Sequence, residues 1–214
     1  MAQQVIASGL SKKIIDIFGG QVDLENKILK TPLDPDETFS EDPLRMLRAA
    51  RFVAQLDFGI DKSALGAIAK NKKRLKIISA ERVQEELFKL LKTSNPSIGF
   101  QILYTTGLLD EFLPEISALQ GVEEIYGQHH KNNFEHTLKV VDNIAERTDS
   151  TVLRFAALLH DIGKPGTKSF LKGRGWAFDM HEHLGLKMVR TIGKRLRMSK
   201  DDTEYIGKLV RWHQ

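Results

Sequence analysis

Leu158-Leu159-His160-Asp161-Ile162-Gly163-Lys164-Pro165 is the stretch whose reading decides the fold. An apolar run ends in a histidine beside an aspartate, and a glycine and a proline follow at once, so a helix carrying the doublet is expected to stop there. Two further histidines sit in similar surroundings, in Phe134-Glu135-His136-Thr137-Leu138 upstream and Phe178-Asp179-Met180-His181-Glu182 downstream. Three imidazoles and a carboxylate, each beside apolar residues, predict a metal site built between helices. His136, His160 and Asp161 are its expected ligands, with His181 as a further ligand or a contact behind one. Taken singly, each histidine also reads as a satisfied core or surface residue. A hydrolytic metal centre acting on phosphate needs an open coordination position and nearby cations. The helix stop at Gly163 and Pro165 is expected to keep that end accessible, and Lys164, Lys168, Lys172 and Arg174 are the cations in reach, Lys164 also being a candidate catalytic group.

Working outward, 214 residues are enough to bury a core, with 41% hydrophobic and 28% charged residues, ordinary for a globular chain. No apolar run approaches the roughly 20 residues of a membrane helix, so no membrane partner is expected. The start, Met1-Ala2-Gln3-Gln4, has no charged region followed by an apolar one, and no signal peptide is expected. Cysteine is absent, which excludes disulfides and thiolate metal sites and fits a cytoplasmic location. A net charge of +4 tolerates an acidic partner such as RNA without arguing for one. Nothing in the pattern assigns an oligomeric state.

Residues 1 to about 40 read as irregular or weakly extended, with a short strand conceivable at Ile14, Ile15, Ile17 and Phe18. Two prolines in Thr31-Pro32-Leu33-Asp34-Pro35-Asp36 forbid a continuing helix. From Asp42, expected as a cap with Pro43 at the first helical position, the period turns helical. Met46, Leu47, Ala50, Val53 and Ala54 share one face. Further helices are expected from about Lys62 to Arg74, from Ser79 as cap through Leu91, and over Ser97 to Thr106 with Gly107 behind it. Gly121 to Asn133 reads as a loop, and helices resume at about 134–147, 151–163, 180–197 and 201–213. The fold class is therefore all-α, with no period-2 pattern after about residue 40. Three parts are expected: 1–40, a helical unit over 41–125, and a second over 126–214.

Glu41-Asp42-Pro43-Leu44-Arg45-Met46-Leu47-Arg48-Ala49-Ala50-Arg51-Phe52 has two readings. One is a capped amphipathic helix with a solvated basic face. In the other, Asp42 and Arg45 present an acceptor beside a planar donor fork that can read a base edge, while Arg48 and Arg51 neutralise a triphosphate or an RNA backbone. The basic run at Lys72, Lys73 and Arg74 is either a solvated helix end or an RNA contact.

His136, the His160-Asp161 doublet with Ile162-Gly163-Lys164, and Phe178-x-x-His181-Glu182-x-x-Gly185 together resemble the HD-domain superfamily of metal-dependent phosphohydrolases over residues 134–214. That resemblance implies a divalent metal (Mg, Mn or Ni) held by a histidine, the doublet and a later aspartate. Here the chain reads Leu209-Val210-Arg211-Trp212-His213-Gln214: His213 stands near where the superfamily often has a histidine, no clear later aspartate follows, and Asp201 and Asp202 suit a helix start.

The motifs Thr31-Pro32-Leu33-Asp34-Pro35-Asp36, Glu41-Asp42-x-x-Arg45, Arg48-Ala49-Ala50-Arg51-Phe52, Ser79-Ala80-Glu81-Arg82-Val83, Gly107-Leu108-Leu109 and Leu113-Pro114-Glu115 precede that region in order. The whole array resembles the bacterial tRNA nucleotidyltransferase (CCA-adding enzyme) and poly(A) polymerase family in its form with an appended HD domain. The resemblance implies that Asp42 and Arg45 pair with the base of CTP or ATP, that Arg48 and Arg51 lie nearby, and that Glu81 and Arg82 support the nucleotide-binding neck. It implies a transferase that adds nucleotides to a tRNA or other RNA 3′ end. Residues 1–40 then correspond to the last edge of the head, 41–125 to the neck and body, and 126–214 to the HD domain. The family's head carries a Gly-Ser loop and an Asp-x-Asp pair that binds two magnesium ions. Asp34-Pro35-Asp36 has no Gly-Ser before it and lies among prolines, so it is rejected as that pair. The sequence thus reads as a fragment without a head, not competent alone for nucleotide addition. The alternatives are a metal-dependent phosphohydrolase acting on phosphomonoesters or 2′,3′-cyclic phosphates, and a non-catalytic RNA-binding module.

Overall fold

The computed structural model describes residues 6–7, 14–121, 124–125, 128–129, 132–173 and 175–213. Helices dominate. Those of the first half are α1 (Gly20–Glu25), α2 (Pro35–Glu41), α3 (Leu44–Leu56), α4 (Lys62–Asn71), α5 (Ala80–Leu91), α6 (Pro96–Thr105) and the single turn α7 (Pro114–Ser117). The second half holds α8 (Asn133–Ala145), α9 (Thr151–Leu159), the turn α10 (Lys164–Thr167), α11 (His181–Arg195) and α12 (Lys200–Arg211).

Their ends follow the expected local chemistry. Ser79, Ser150 and Ser199 each accept a hydrogen bond from a first-turn N–H, and Asn132 accepts from two, satisfying donors that have no partner inside the helix. Gly107 follows α6 at φ +68°, the left-handed conformation that closes a helix.

The structure corrects the sequence reading in four places. Residues 1–40 are not irregular throughout, because Asp34 caps α2 and the Asp16 carboxylate accepts from the N–H groups of Gly20 and Gln21 at the start of α1. The expected strand near Ile14 shrinks to Ile14–Ile15 paired with Ile6–Ala7. The helix starting at Lys62 gives way after Asn71 to a 3₁₀ segment, Lys72–Ile77. Pro43 takes the cap position of α3, with Leu44 first in the helix and the Asp42 carboxylate accepting the Leu44 N–H at 3.2 Å. Extended pairing also appears past residue 40. Ile28–Leu29 runs parallel to Gly59–Ile60, Glu124–Ile125 pairs with Gln128–His129 inside the expected loop, and Ser169–Leu171 with Gly175–Ala177 forms a hairpin. Two- and three-residue strands are too short to show a period of two.

A single apolar core runs through both helical halves, with Phe39 and Phe100 in the first and Phe134 and Phe155 in the second all essentially unexposed. Helix α3 packs on α5 and α6, α6 on α8, α5 on α9, and α9 on α8 and α12. Phe88 of α5 meets Phe155 of α9 at 5.6 Å between ring centroids. Beside that contact the buried Arg154 guanidinium donates to the carbonyls of Leu91 and Thr93 in the first half and of Ala145 and Thr148 in the second. Carbonyls at helix ends lack partners within their helix. One buried cation supplies donors to four of them and ties the halves together.

Candidate metal centre and nucleotide-binding neck

Helix α9 ends at Leu159, so His160 and Asp161 lie on the turn that follows. Gly163 does not stop the helix by conformational freedom. A Cβ there would come within 2.0 Å of the His181 carbonyl oxygen, so glycine is required for the start of α11 to lie against the turn. Pro165 opens α10. The doublet divides in exposure: Asp161 is buried against the start of α11 at 1% exposed, whereas His160 is part-buried and the neighbouring His136 is exposed.

The buried carboxylate gathers the site. Its Oδ2 lies 2.6 Å from Lys164 Nζ, 3.1 Å from His160 Nε2 and 3.8 Å from His136 Nε2. Its Oδ1 lies 3.5 Å from His181 Nε2 and 3.7 Å from His213 Nε2. Burial alone would raise the Asp161 carboxyl; hydrogen bonds from His160 and His213 and the nearby Lys164 ammonium outweigh it and hold the group well below the usual carboxylate range. The Asp161 carboxylate in turn raises His213 above the ordinary histidine value.

Tautomers follow from the backbone. Nδ1 of His160, His181 and His213 lies 2.7–2.8 Å from the carbonyls of Ala157, Phe178 and Val210 respectively. A carbonyl only accepts, so each Nδ1 carries the proton and each Nε2 turns toward Asp161. In a neutral ring that Nε2 is a lone pair, the form a metal binds. His181 Nε2 and His213 Nε2 stand 3.3 Å apart, which two lone pairs do not tolerate without a proton or cation between them. Donor atoms of His136, His160 and Asp161 all lie within 4.8 Å of one another, as do those of Asp161, His181 and His213. The residues therefore fit a divalent cation of nitrogen and oxygen preference.

All four expected ligands, His136, His160, Asp161 and His181, are brought together, and Lys164 with them. His213 joins at the position where no later aspartate could be found. Its signal was in the spacing, since Ile206, Val210 and His213 fall on one face at i, i+4 and i+7. Of the other expected phosphate cations, Lys168 lies over the Trp176 ring at 4.5 Å, Lys172 is exposed on the hairpin, and Arg174 lies outside the described residues.

In the first half the arginines of α3 diverge. Arg45 donates to Glu41 and to the Thr38 carbonyl, each at 3.3 Å, rather than standing beside Asp42. Asp42 instead faces Arg82 of α5 at 3.7 Å. Arg51 makes a 2.9 Å ion pair with the buried Glu86, and its planar group lies 4.1 Å from the Phe52 ring centroid. Arg45 and Arg48 line a hollow with Lys30, Thr31, Phe39 and Phe52. Glu81 is exposed in the first turn of α5. Asp34 and Asp36 act locally, the former capping α2 and the latter binding Lys70 and Asn71. In the basic run, Lys72 lies against Gly107, Lys73 is exposed, and Arg74 donates to the Ser40 carbonyl.

Known proteins with the same pattern are consistent across sequence and structure. A family model described as the probable RNA and SrmB-binding site of polymerase A matches residues 57–119, and an HD-domain model matches residues 133–214. The multifunctional CCA protein of Mannheimia succiniciproducens is 37% identical over 204 residues, covering 90% of this chain and 47% of that protein. The A-adding tRNA nucleotidyltransferase of Deinococcus radiodurans is 34% identical, covering 97% of this chain and 49% of that enzyme. The chain thus spans about half the length of these curated relatives. Among solved structures, the Bacillus stearothermophilus CCA-adding enzyme in complex with CTP is 26% identical with a TM-score of 0.56, covering 92% of this chain and 40% of that one. A tRNA-processing enzyme complex shares the fold at a TM-score of 0.61 and 20% identity, over 94% of this chain and 48% of its own. With both family models in order along one chain and relatives matching nearly all of it, the chain matches the RNA-binding and HD region of the bacterial tRNA nucleotidyltransferase and poly(A) polymerase family.

Proposed function

We propose that this chain is the neck, body and HD portion of a cytoplasmic enzyme that adds nucleotides from CTP or ATP to a tRNA or other RNA 3′ end when joined to a head domain bearing two magnesium ions. The observation that carries this reading is the ordered match of the RNA-binding and HD models within relatives of that activity. In this reading residues 41–125 select the nucleotide. Arg45 and Arg48 present donor groups at the rim of the hollow floored by Phe39 and Phe52, and Asp42 is oriented by Arg82. Arg51 acts from behind, its charge held by Glu86 so that α3 and α5 keep a fixed spacing. The test is nucleotide incorporation into tRNA by the chain alone and by the chain fused to a relative's head domain. Incorporation is expected only in the fusion, and is expected to fall when Asp42→Ala or Arg45→Ala is introduced. Activity of the chain alone, or a folded fusion with none, overturns the reading.

A second activity, phosphohydrolysis of phosphomonoesters or 2′,3′-cyclic phosphates, is favoured by the convergence of four imidazoles and an ammonium on Asp161. His136, His160, Asp161, His181 and His213 would hold a divalent cation, and a bound cation supplies Lewis-acid polarisation of a phosphoryl oxygen. An imidazole-rich set suits nickel better than magnesium or manganese. The chain's own residues orient the imidazoles through the three carbonyl contacts and place the Lys164 ammonium beside the anion. Calorimetric titration with nickel is expected to show one tight site that Asp161→Asn weakens about 100-fold or more. Equal affinity in the variant overturns the assignment.

A further inference from the structure

Helices α11 and α12 lie side by side, with Gly185 against Val210, Gly207 against Leu186 and Gly193 against Thr203. Along their outer face runs an open groove of about 710 Å³, floored by Leu186 and Gly207. A Cβ on Gly207 would press to 2.8 Å from a Leu186 methyl, so glycine keeps the floor low. Four basic side chains line the groove: His183, Arg190, Lys208 and Arg211. Their charges are not equally spent. Arg211 is balanced by Glu182 at 3.4 Å and bonded to His183 at 2.6 Å, and the groove's own acid, Glu204, faces Lys200. Among the described residues Arg190 and Lys208 have no carboxylate partner, and both are exposed.

At one end of this groove stands Trp212, 73% exposed, with the Arg211 guanidinium 4.5 Å from its ring centroid. Burying a tryptophan face is favourable, and an aromatic plane beside unspent cations is the arrangement that binds single-stranded nucleic acid, one base stacking while phosphates meet the charges.

We propose that this groove is a binding site for a single-stranded RNA segment, with a base stacked on Trp212 and backbone phosphates on Arg190 and Lys208. It rests on the reading of the chain as an RNA-handling protein and adds a site that neither the nucleotide-selecting helix nor the metal ligands supply. A steeply salt-dependent affinity follows from the phosphate contacts, and little base preference follows from stacking.

The test uses the whole chain with Trp176→Phe, which leaves Trp212 as the sole tryptophan. A fluorescein-free eight-nucleotide RNA of A and C is expected to quench its emission. Arg190→Gln with Lys208→Gln is expected to weaken binding at least tenfold and to lower the log–log salt slope by about 1.4, two single-strand phosphate contacts' worth. Trp212→Leu, followed with a labelled oligonucleotide, is expected to weaken binding on the order of tenfold. Absence of quenching at concentrations where the labelled RNA binds overturns the proposal, as does binding indifferent to the double variant. Loss of oligonucleotide binding in these variants with tRNA binding retained supports the groove. An unsubstituted chain that binds tRNA but not the oligonucleotide overturns the groove alone, and one that binds neither overturns the RNA-handling reading with it.

Discussion

At the metal centre five side chains converge on one buried carboxylate, whereas along α3 each arginine is drawn to a different partner. The two regions carry similar chemistry, acids beside cations and donors, yet differ in what organises them. Asp161 is buried on the turn against α11, so neighbouring donors gain by facing it where water competes less. Arg45 and Asp42 lie at a half-exposed helix start, where several acids and carbonyls are equally reachable and none dominates. Convergence marks a site built to hold a charge. Divergence leaves Arg45 and Asp42 part-exposed on the surface, with the Arg51–Glu86 pair largely buried beneath.

This contrast can be broken at its tightest contact first. Gly163→Ala forces a methyl group into the His181 backbone, which cannot swing away as a side chain can, and is expected to cost about 3 kcal/mol or more in urea denaturation. It should also abolish nickel binding by displacing His181; a stable, metal-binding variant would show that the turn does not depend on close packing. On the other side, Arg51→Ala strips the buried Glu86 of its main partner, Lys89 remaining at 3.2 Å. A loss of about 3 kcal/mol is expected, with nucleotide affinity falling only as far as the fold does. Arg45→Ala sharpens the comparison: its pair with the mostly exposed Glu41 is worth less than about 1 kcal/mol. Stability should hardly move while CTP binding to the head-fused protein falls. If Arg45→Ala proved the more destabilising of the two, the roles assigned to them would be reversed.

The smallest effect expected is a pH dependence of the metal-free protein. His213 is raised by Asp161, so its contribution to stability is fully present below the unfolded histidine value of about 6.5 and is lost as pH rises through the higher folded value. Asp161 is depressed, so its contribution is present above the unfolded aspartate value and is lost only in acid. Thermal midpoints measured upward from pH 6.5 should therefore decline more in the parent than in His213→Gln. Saturating nickel should reduce the decline, because the metal takes the place of the proton.

Much of the fold was legible because helix periods and caps are local. Ser79 at the start of α5, Gly107 behind α6 and the apolar face of α3 depend on residues within a turn or two of one another. The short pairings were not legible, since two residues carry no period, and neither were α1 and α2, whose caps sit among glycines and prolines that read as breaks. The candidate metal ligands were legible as a doublet with flanking histidines, and His213 as a histidine position of the superfamily but not as a ligand. The groove bearing Trp212 had no motif, because its residues come from two helices and make sense only when those helices lie together.

By itself, then, the sequence determined the helical class, the order of the motifs, the donor types available to a metal and the family resemblance, because each of these depends on residue identity and short spacing. Only the tertiary structure decided that Asp161 is buried against α11, that Arg154 joins the halves through four carbonyls, and that Arg51 belongs to Glu86 rather than to the solvent. Those outcomes depend on which distant groups arrive at the same place and on how much water is left between them, and the energy of a charge is governed by both.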